Sequence, residues 1–187
     1  ETTDNHGVIG RHGGHVPLWY FKRPTRRTEP TRELMAFARS AEVDKSNDLG
    51  TLHALSAHIR ETVRYETGHT NAETTADMAL AAGHGVCQDH AHIFITTARI
   101  LGFPARYVSG YLMLLDRVEQ EASHAWAEAH VEGIGWVGFD ISNGISPDPR
   151  YVRIATGADY AEAAPISGLS YGGGEQTMRV NLAVEQQ

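Results

Sequence analysis

The sequence holds one cysteine in 187 residues. No disulfide can form within the chain, and a zinc site built from several thiolates is excluded. Positive charge is also scarce: 16 lysines and arginines face 23 acidic residues, for a net charge of −7. No stretch is densely basic, so no nucleic-acid partner is expected. No apolar run reaches about 18 residues, so nothing reads as a membrane span and no membrane partner is expected. An initiating methionine and a secretory signal pattern are both missing. The start at Glu1 reads as the cut end of a longer chain, and a cytoplasmic setting is the default expectation. What is present is ordinary for a folded protein, with 41% hydrophobic and 21% charged residues. The length suits one domain able to bury a core without covalent help.

Residues 1–30 show no period. Four glycines (Gly7, Gly10, Gly13 and Gly14) are followed by Pro17, Pro24 and Pro30, with one apolar patch over Val16–Phe21. They read as an N-terminal arm or linker, the remnant of a longer chain, ahead of one domain over residues 31–187. Leu34, Phe37, Ala38 and Ala41 recur at helical spacing and predict a helix after Pro30. Leu52, Leu55, Ile59 and Val63 predict a second, from about Leu49 to Tyr65. Thr74 and Asp77 stand at capping-box spacing and open a short helix ending at Gly83. Ala91, Phe94, Ile95, Ala98 and Leu101 form a further stripe that stops at Gly102 and Pro104. Cys87 therefore stands at or near the N-terminus of a buried helix of about 15 residues.

Beyond Pro104 the period changes to two. Residues 105–115 read as a strand, and His124–Val131 and Trp136–Asp140 as a hairpin with a glycine-bearing loop. Residues 142–174 read as irregular. Met178, Val180, Leu182 and Val184 alternate and suggest a closing strand. Helices first and antiparallel strands after them make an α+β order.

A lone cysteine is either a small buried hydrophobe or a working thiol. A free thiol is only about 3% ionised at pH 7. A useful nucleophile needs about 2.7 kcal/mol of extra stabilisation of its thiolate. A helix N-terminus supplies about 0.3–1 kcal/mol, or about 2 when partly buried. An imidazolium partner could supply the rest.

With eleven histidines, residue type alone selects none. His124 stands out because it opens an alternating segment whose partner strand closes at Asp140. Side chains alternate across a strand, so only an odd-length or bulged hairpin connection places His124 and Asp140 on one face. A five-residue loop over 131–135 sets Asp140 opposite Trp126 and diagonal to His124, about 7–8 Å apart at Cβ. The roles then follow: Cys87 attacks a carbonyl carbon, His124 shares its proton and protonates the leaving amine, and Asp140 fixes the imidazole tautomer. The Cys87 backbone N–H, at a helix start, could donate to the oxyanion. Tyr65 and Gln88 are candidates for the second donor, and Trp126 and Tyr111 for the cleft wall.

Three blocks carry a resemblance. They are Gly83-His84-Gly85-Val86-Cys87-Gln88-Asp89-His90-Ala91-His92, His124-Ala125-Trp126-Ala127-Glu128, and Gly135-Trp136-Val137-Gly138-Phe139-Asp140 followed by Asn143-Gly144. In order and spacing they resemble the transglutaminase-like superfamily of papain-type thiol enzymes. Tyr65, Gly68, Thr70 and Gly102-Phe103-Pro104-Ala105-Arg106 also fit. The resemblance covers roughly residues 30–145 and implies a triad of Cys87, His124 and Asp140. It also implies a papain-like core in which a nucleophile-bearing helix packs on an antiparallel sheet. Acyl-enzyme chemistry on a peptide or protein substrate follows, resolved by water in a peptidase or amidase, or by a lysine amine in a cross-linking transglutaminase. Bacterial proteins with these blocks resemble the hydrolytic type and often carry a β-rich domain N-terminal to it. Val16–Phe21 resembles the junction after such a domain, which is absent from this chain.

Blander readings stand beside these. Cys87 and His90 have C-x-x-H spacing, but His90 and His92 do not share a helix face, so structural histidines are expected rather than zinc. Asp89 reads as an anion at a helix start, slightly opposing a thiolate. Gly172–Gly174 lacks a phosphate-loop setting. There are no dense acidic loops for calcium, and no metal or cofactor is implied. A non-catalytic module using the cleft to bind an extended peptide is the reading from another class.

Overall fold

The helix that begins at the cysteine is buried from Asp89 through Arg99. A helix enclosed on all sides marks the centre of a fold. The computed structural model describes residues 4–41, 44, 46–113, 119–120, 123–165 and 182–183. The elements in chain order are β1 (Val8–Gly10), α1 (Arg32–Ser40), α2 (Asp48–Thr62), β2 (Arg64–Tyr65), α3 (Ala76–Ala82), β3 (His84–Gly85) and α4 (Cys87–Ile100). There follow β4 (Ala105–Leu112), β5 (Glu119–Gln120), β6 (His124–Val131), β7 (Gly135–Phe139), β8 (Tyr151–Gly157), α5 (Tyr160–Ala163) and β9 (Leu182–Ala183).

Local chemistry sets the helix ends. Asn47 caps α2 by accepting the Gly50 N–H at 2.8 Å. α2 stops at Thr62, short of Tyr65, because the chain turns into β2, which pairs in parallel with β3. α3 starts after Thr75 rather than Thr74, since the Thr74 hydroxyl accepts the Asn71 N–H at 3.0 Å and closes a turn instead. Gly102, at φ +97°, ends α4. The Phe103 N–H returns to the Ala98 carbonyl at 2.9 Å and the Gly102 N–H to that of Arg99 at 3.0 Å. That pair of bonds is the Schellman pattern, and it satisfies carbonyls the helix leaves open.

Five strands form an antiparallel sheet in the order β1-β7-β6-β4-β8. Alternation gives it two different faces. Ala125, Ala127, Ala129 and Val131 of β6, with Val137 and Phe139 of β7, join the core that holds α4 residues Ala91, Phe94, Ile95 and Ala98. Three alanines in alternation make a shallow surface on which a helix can seat closely. The other face carries Trp126, Glu128 and Trp136. Glu128 is fully buried and accepts Arg106 Nε at 2.6 Å, with Arg153 Nε 2.9 Å from its second oxygen. The Arg106 guanidinium lies 3.9 Å from the Trp136 ring centre.

The N-terminal segment lies along this second face. β1 pairs with β7, and the short 3-10 turn Leu18–Lys22 sets Phe21 edge-on to Trp136 at 5.3 Å. Arg99 ties the segment down from α4. Its guanidinium donates to the carbonyls of Phe21 (2.8 Å), Ala105 (2.9 Å) and Ala158 (2.7 Å) and to the Thr28 hydroxyl (2.9 Å).

The α+β class expected from element order is the observed one. Besides the two helix boundaries, one further expectation needs correction. Residues 142–174 are not irregular throughout: β8 and α5 lie within them. β8 is an edge strand with Val152 and Ile154 exposed, so no burial period marks it, and nearby Pro147 and Pro149 obscured a β-prone run. Of the expected closing strand only Leu182–Ala183 is described, paired with β5; positions 178, 180 and 184, and the glycines 172–174, lie outside the described residues.

Candidate active site

Cys87 is the first residue of α4 and is half-buried. At that position its N–H has no carbonyl one turn back to donate to, so it is free for an incoming acceptor. The turn before it is tightly made. The Asp89 carboxylate accepts the Val86 N–H at 2.8 Å and the Thr70 hydroxyl at 2.7 Å. A Cβ at Gly85 would lie 2.7 Å from the Asp89 Cβ, so the turn admits only glycine without adjustment. Burial pushes the Asp89 carboxyl above its usual range, and those two hydrogen bonds oppose the shift.

His124 opens β6, and Asp140 follows β7 in an isolated bridge to Ile145. The hairpin between them has the odd connection that the parity argument requires. Val131 pairs with Gly135, leaving a loop of 132–134, three residues rather than five, with the register unchanged. Ala127 pairs with Phe139, so the next step sets Asp140 opposite Trp126 and diagonal to His124. Nε2 of His124 donates to Oδ2 of Asp140 at 2.6 Å. That leaves Nδ1 as the ring nitrogen for the thiol.

The electrostatics follow from this geometry. Burial alone would lower the His124 pKa. The Asp140 hydrogen bond and the Cys87 sulfur outweigh it and raise the ring to about 10. Burial would likewise lift Asp140. The hydrogen bond and charge of His124, with donors from Asn143 and Tyr151, instead hold its carboxyl below the usual carboxylate range.

The other expected residues fall as follows. Tyr65 ends β2 alongside Gly85 and is 56% exposed. Burial raises its pKa, as do the nearby Cys87 and Asp140, which places its ring beside the array. The Gln88 amide donates to the Asn71 carbonyl at 3.2 Å, which engages one of its two N–H donors. Trp126 is buried, its ring 6.2 Å from that of His124 and edge-on to Tyr151 at 5.4 Å. Tyr111 sits one position beyond Gly110, the strand partner of His124, and is half-buried. His90 is a strut: its two nitrogens meet the Ser142 hydroxyl (2.8 Å) and the Val63 carbonyl (2.9 Å). His92 is enclosed, and burial lowers its pKa to about 3. Among the described residues no three His, Cys, Asp or Glu side chains are grouped to hold a metal.

Tyr151 escaped the sequence reading. Its hydroxyl donates to Asp140 Oδ2 at 2.7 Å. The available signal was the β-prone run Tyr151–Ile154 after Pro149. With Trp126, Glu128 and Arg153, Tyr151 also walls a cavity of about 360 Å³ under the N-terminal segment.

A thiol at a helix start beside the hydrogen-bonded His124–Asp140 pair is an arrangement suited to nucleophilic chemistry. The model of the transglutaminase-like superfamily matches residues 35–141, which contain all three groups, and the chain belongs to that superfamily. Two curated relatives are uncharacterized proteins. One, from Mycobacterium leprae, is 30% identical over 168 residues, covering 87% of this chain and 53% of that protein. The other, from Mycobacterium tuberculosis, is 32% identical over 172 residues, covering 87% and 54%. The chain therefore spans about half the length of these relatives. Among solved structures, a proposed cysteine protease from Cytophaga hutchinsonii superposes with a TM-score of 0.70 at 28% identity, covering 91% of this chain and 57% of that one. No helix among the described residues is long and apolar enough to cross a membrane.

Proposed function

We propose that this chain carries the catalytic centre of a thiol hydrolase that cleaves peptide or amide bonds through an acyl-enzyme on Cys87. The observation that carries the reading is the His124 ring, held by Asp140 at 2.6 Å and biased toward its charged form by carboxylate and sulfur together. An imidazolium beside a thiol at a helix start is the setting in which a thiolate forms near neutral pH. The structural relative described as a proposed cysteine protease agrees with it.

In the first step the Cys87 thiolate adds to the substrate carbonyl carbon. The oxyanion is met by the Cys87 N–H, with Tyr65, whose hydroxyl feels the Cys87 sulfur, and Gln88 as the candidates for a second donor. Collapse breaks the C–N bond, and the leaving amine takes the proton from the His124 imidazolium. Neutral His124 then accepts a proton from water as the oxygen adds to the thioester. Release of the carboxylic acid restores thiolate and imidazolium. An amine in place of water gives acyl transfer from the same intermediate.

Intact-mass trapping tests the reading. Incubation with a library of peptide and glutamine-containing donors is expected to leave one acyl adduct on wild type and none on Cys87→Ala. Competition between water and added amine separates hydrolysis from transfer. A wild-type chain that forms no adduct, and whose thiol labels like free cysteine, overturns the reading in favour of a peptide-binding module.

A further inference from the structure

Three donors converge on one oxygen. Oδ2 of Asp140 accepts His124 Nε2 at 2.6 Å, Asn143 Nδ2 at 2.7 Å and the Tyr151 hydroxyl at 2.7 Å, while Oδ1 takes the Asn143 N–H at 3.1 Å. A carboxylate oxygen offers about two lone-pair sites, so three donors on it compete. Asn143 is three residues from Asp140 in a tight turn. Tyr151 is not local: β8 is three strands away from β7 in the sheet order. Its ring is held edge-on to Trp126 at 85° and lies 5.9 Å from the His124 ring, so the hydroxyl reaches Asp140 across the top of the sheet.

From this convergence we propose that Tyr151 is a positioning residue that tempers the Asp140–His124 pair: by drawing on Oδ2 it keeps the carboxylate ionised and limits how tightly it holds the imidazolium proton. This rests on the reading of Cys87 and His124 as the reacting groups. A histidine gripped too strongly by its carboxylate stays charged, and cannot turn over as acid and then base. Burial and the Asp140 charge keep the phenol protonated, so it stays a donor across the working range. The other titratable or charged groups facing the pair are Cys87 and His90 from α4, Tyr65 from β2, Arg60 from α2 beside Gly144, and Asp148 from the loop before β8.

The experiment follows His124 by imidazole NMR and Cys87 by iodoacetamide labelling, both against pH, in wild type and Tyr151→Phe. Phenylalanine keeps the ring on Trp126 and removes only the donor. The His124 titration is expected to move up by about one pH unit, and the acid limb of labelling, which reads the thiolate beside that imidazolium, to move down. A fluorinated tyrosine at position 151, a stronger donor, should move both the other way, and it supplies the test if Tyr151→Phe does not fold. A purely structural tie would lower the thermal midpoint and leave both titrations in place, which overturns the proposal. A wild-type thiol that labels as an ordinary cysteine sinks the enzymatic reading, and the role of Tyr151 with it. An activated wild-type thiol beside unmoved titrations sinks Tyr151 alone.

Discussion

Nε2 of His124 and Oδ2 of Asp140 lie 2.6 Å apart although fifteen residues separate them in the chain. Two paired strands and a three-residue loop create that contact, and Asp140 is buried where solvent cannot compete for it. If it activates Cys87, its loss has a chemical signature. Below pH 7, iodoacetamide should label wild type at least about tenfold faster than His124→Ala. Asp140→Asn should keep the fold and lower turnover about a hundredfold or more, because the ring loses its fixed tautomer. Equal labelling rates in wild type and His124→Ala would remove the imidazole from the mechanism.

The same contact sets a pH window for stability. His124 is raised to about 10 in the folded chain. Its contribution is fully present below its unfolded value of about 6.5 and is lost as pH rises through about 10. Asp140 is held below its ordinary range. Its contribution is present above about pH 3.8 and is lost as pH falls through the depressed value. The pair therefore stabilises most between about pH 4 and 6.5, with a decline on the alkaline side. Urea midpoints measured across that alkaline range should fall in wild type and stay flat in His124→Gln.

Arg99 has a different task. Its guanidinium satisfies three carbonyls and one hydroxyl from four separate segments while only 9% exposed. Arg99→Met leaves those carbonyls buried without donors and should cost about 2–4 kcal/mol in chemical denaturation. Arg99→Lys should recover little, since an ammonium cannot span the fork. Full stability in either variant would mean that water or rearrangement replaces the clamp.

Gly85 tests the turn beneath the thiol. An alanine there would meet Asp89 at 2.7 Å and push its carboxylate off the Val86 N–H. Gly85→Ala should cost about 1–3 kcal/mol and slow labelling of Cys87 as the start of α4 loosens. A variant with wild-type stability and labelling would show that the turn yields without consequence.

Much of this was legible in the residues. The apolar stripe ending at Gly102 located α4 and with it Cys87. Alternation, with parity as the added constraint, brought His124 and Asp140 together without any knowledge of the loop's true length. What escaped had weaker local signals. β8 is an exposed edge strand, so its side chains carry no burial period, and the role of Tyr151 comes from a sheet order that sequence does not state. Arg99 reads as an unremarkable basic residue at a helix end. Only the folded chain brings its four acceptors within reach, two from the N-terminal segment and one each from β4 and the turn before α5. The bond from the Gln88 amide to the Asn71 carbonyl joins neighbours in space from different loops, which the sequence does not pair.

The three-residue hairpin loop also bears on how such a chain can change over evolutionary time. Residues added to 132–134 can bulge outward while the pairing of Val131 with Gly135 stays in place, whereas one residue gained or lost within β7 swaps the faces of everything after it, carrying the carboxylate to the helix side. Length variation among active homologues should therefore fall in this loop and spare β7, with any change inside the strand matched by a bulge farther along.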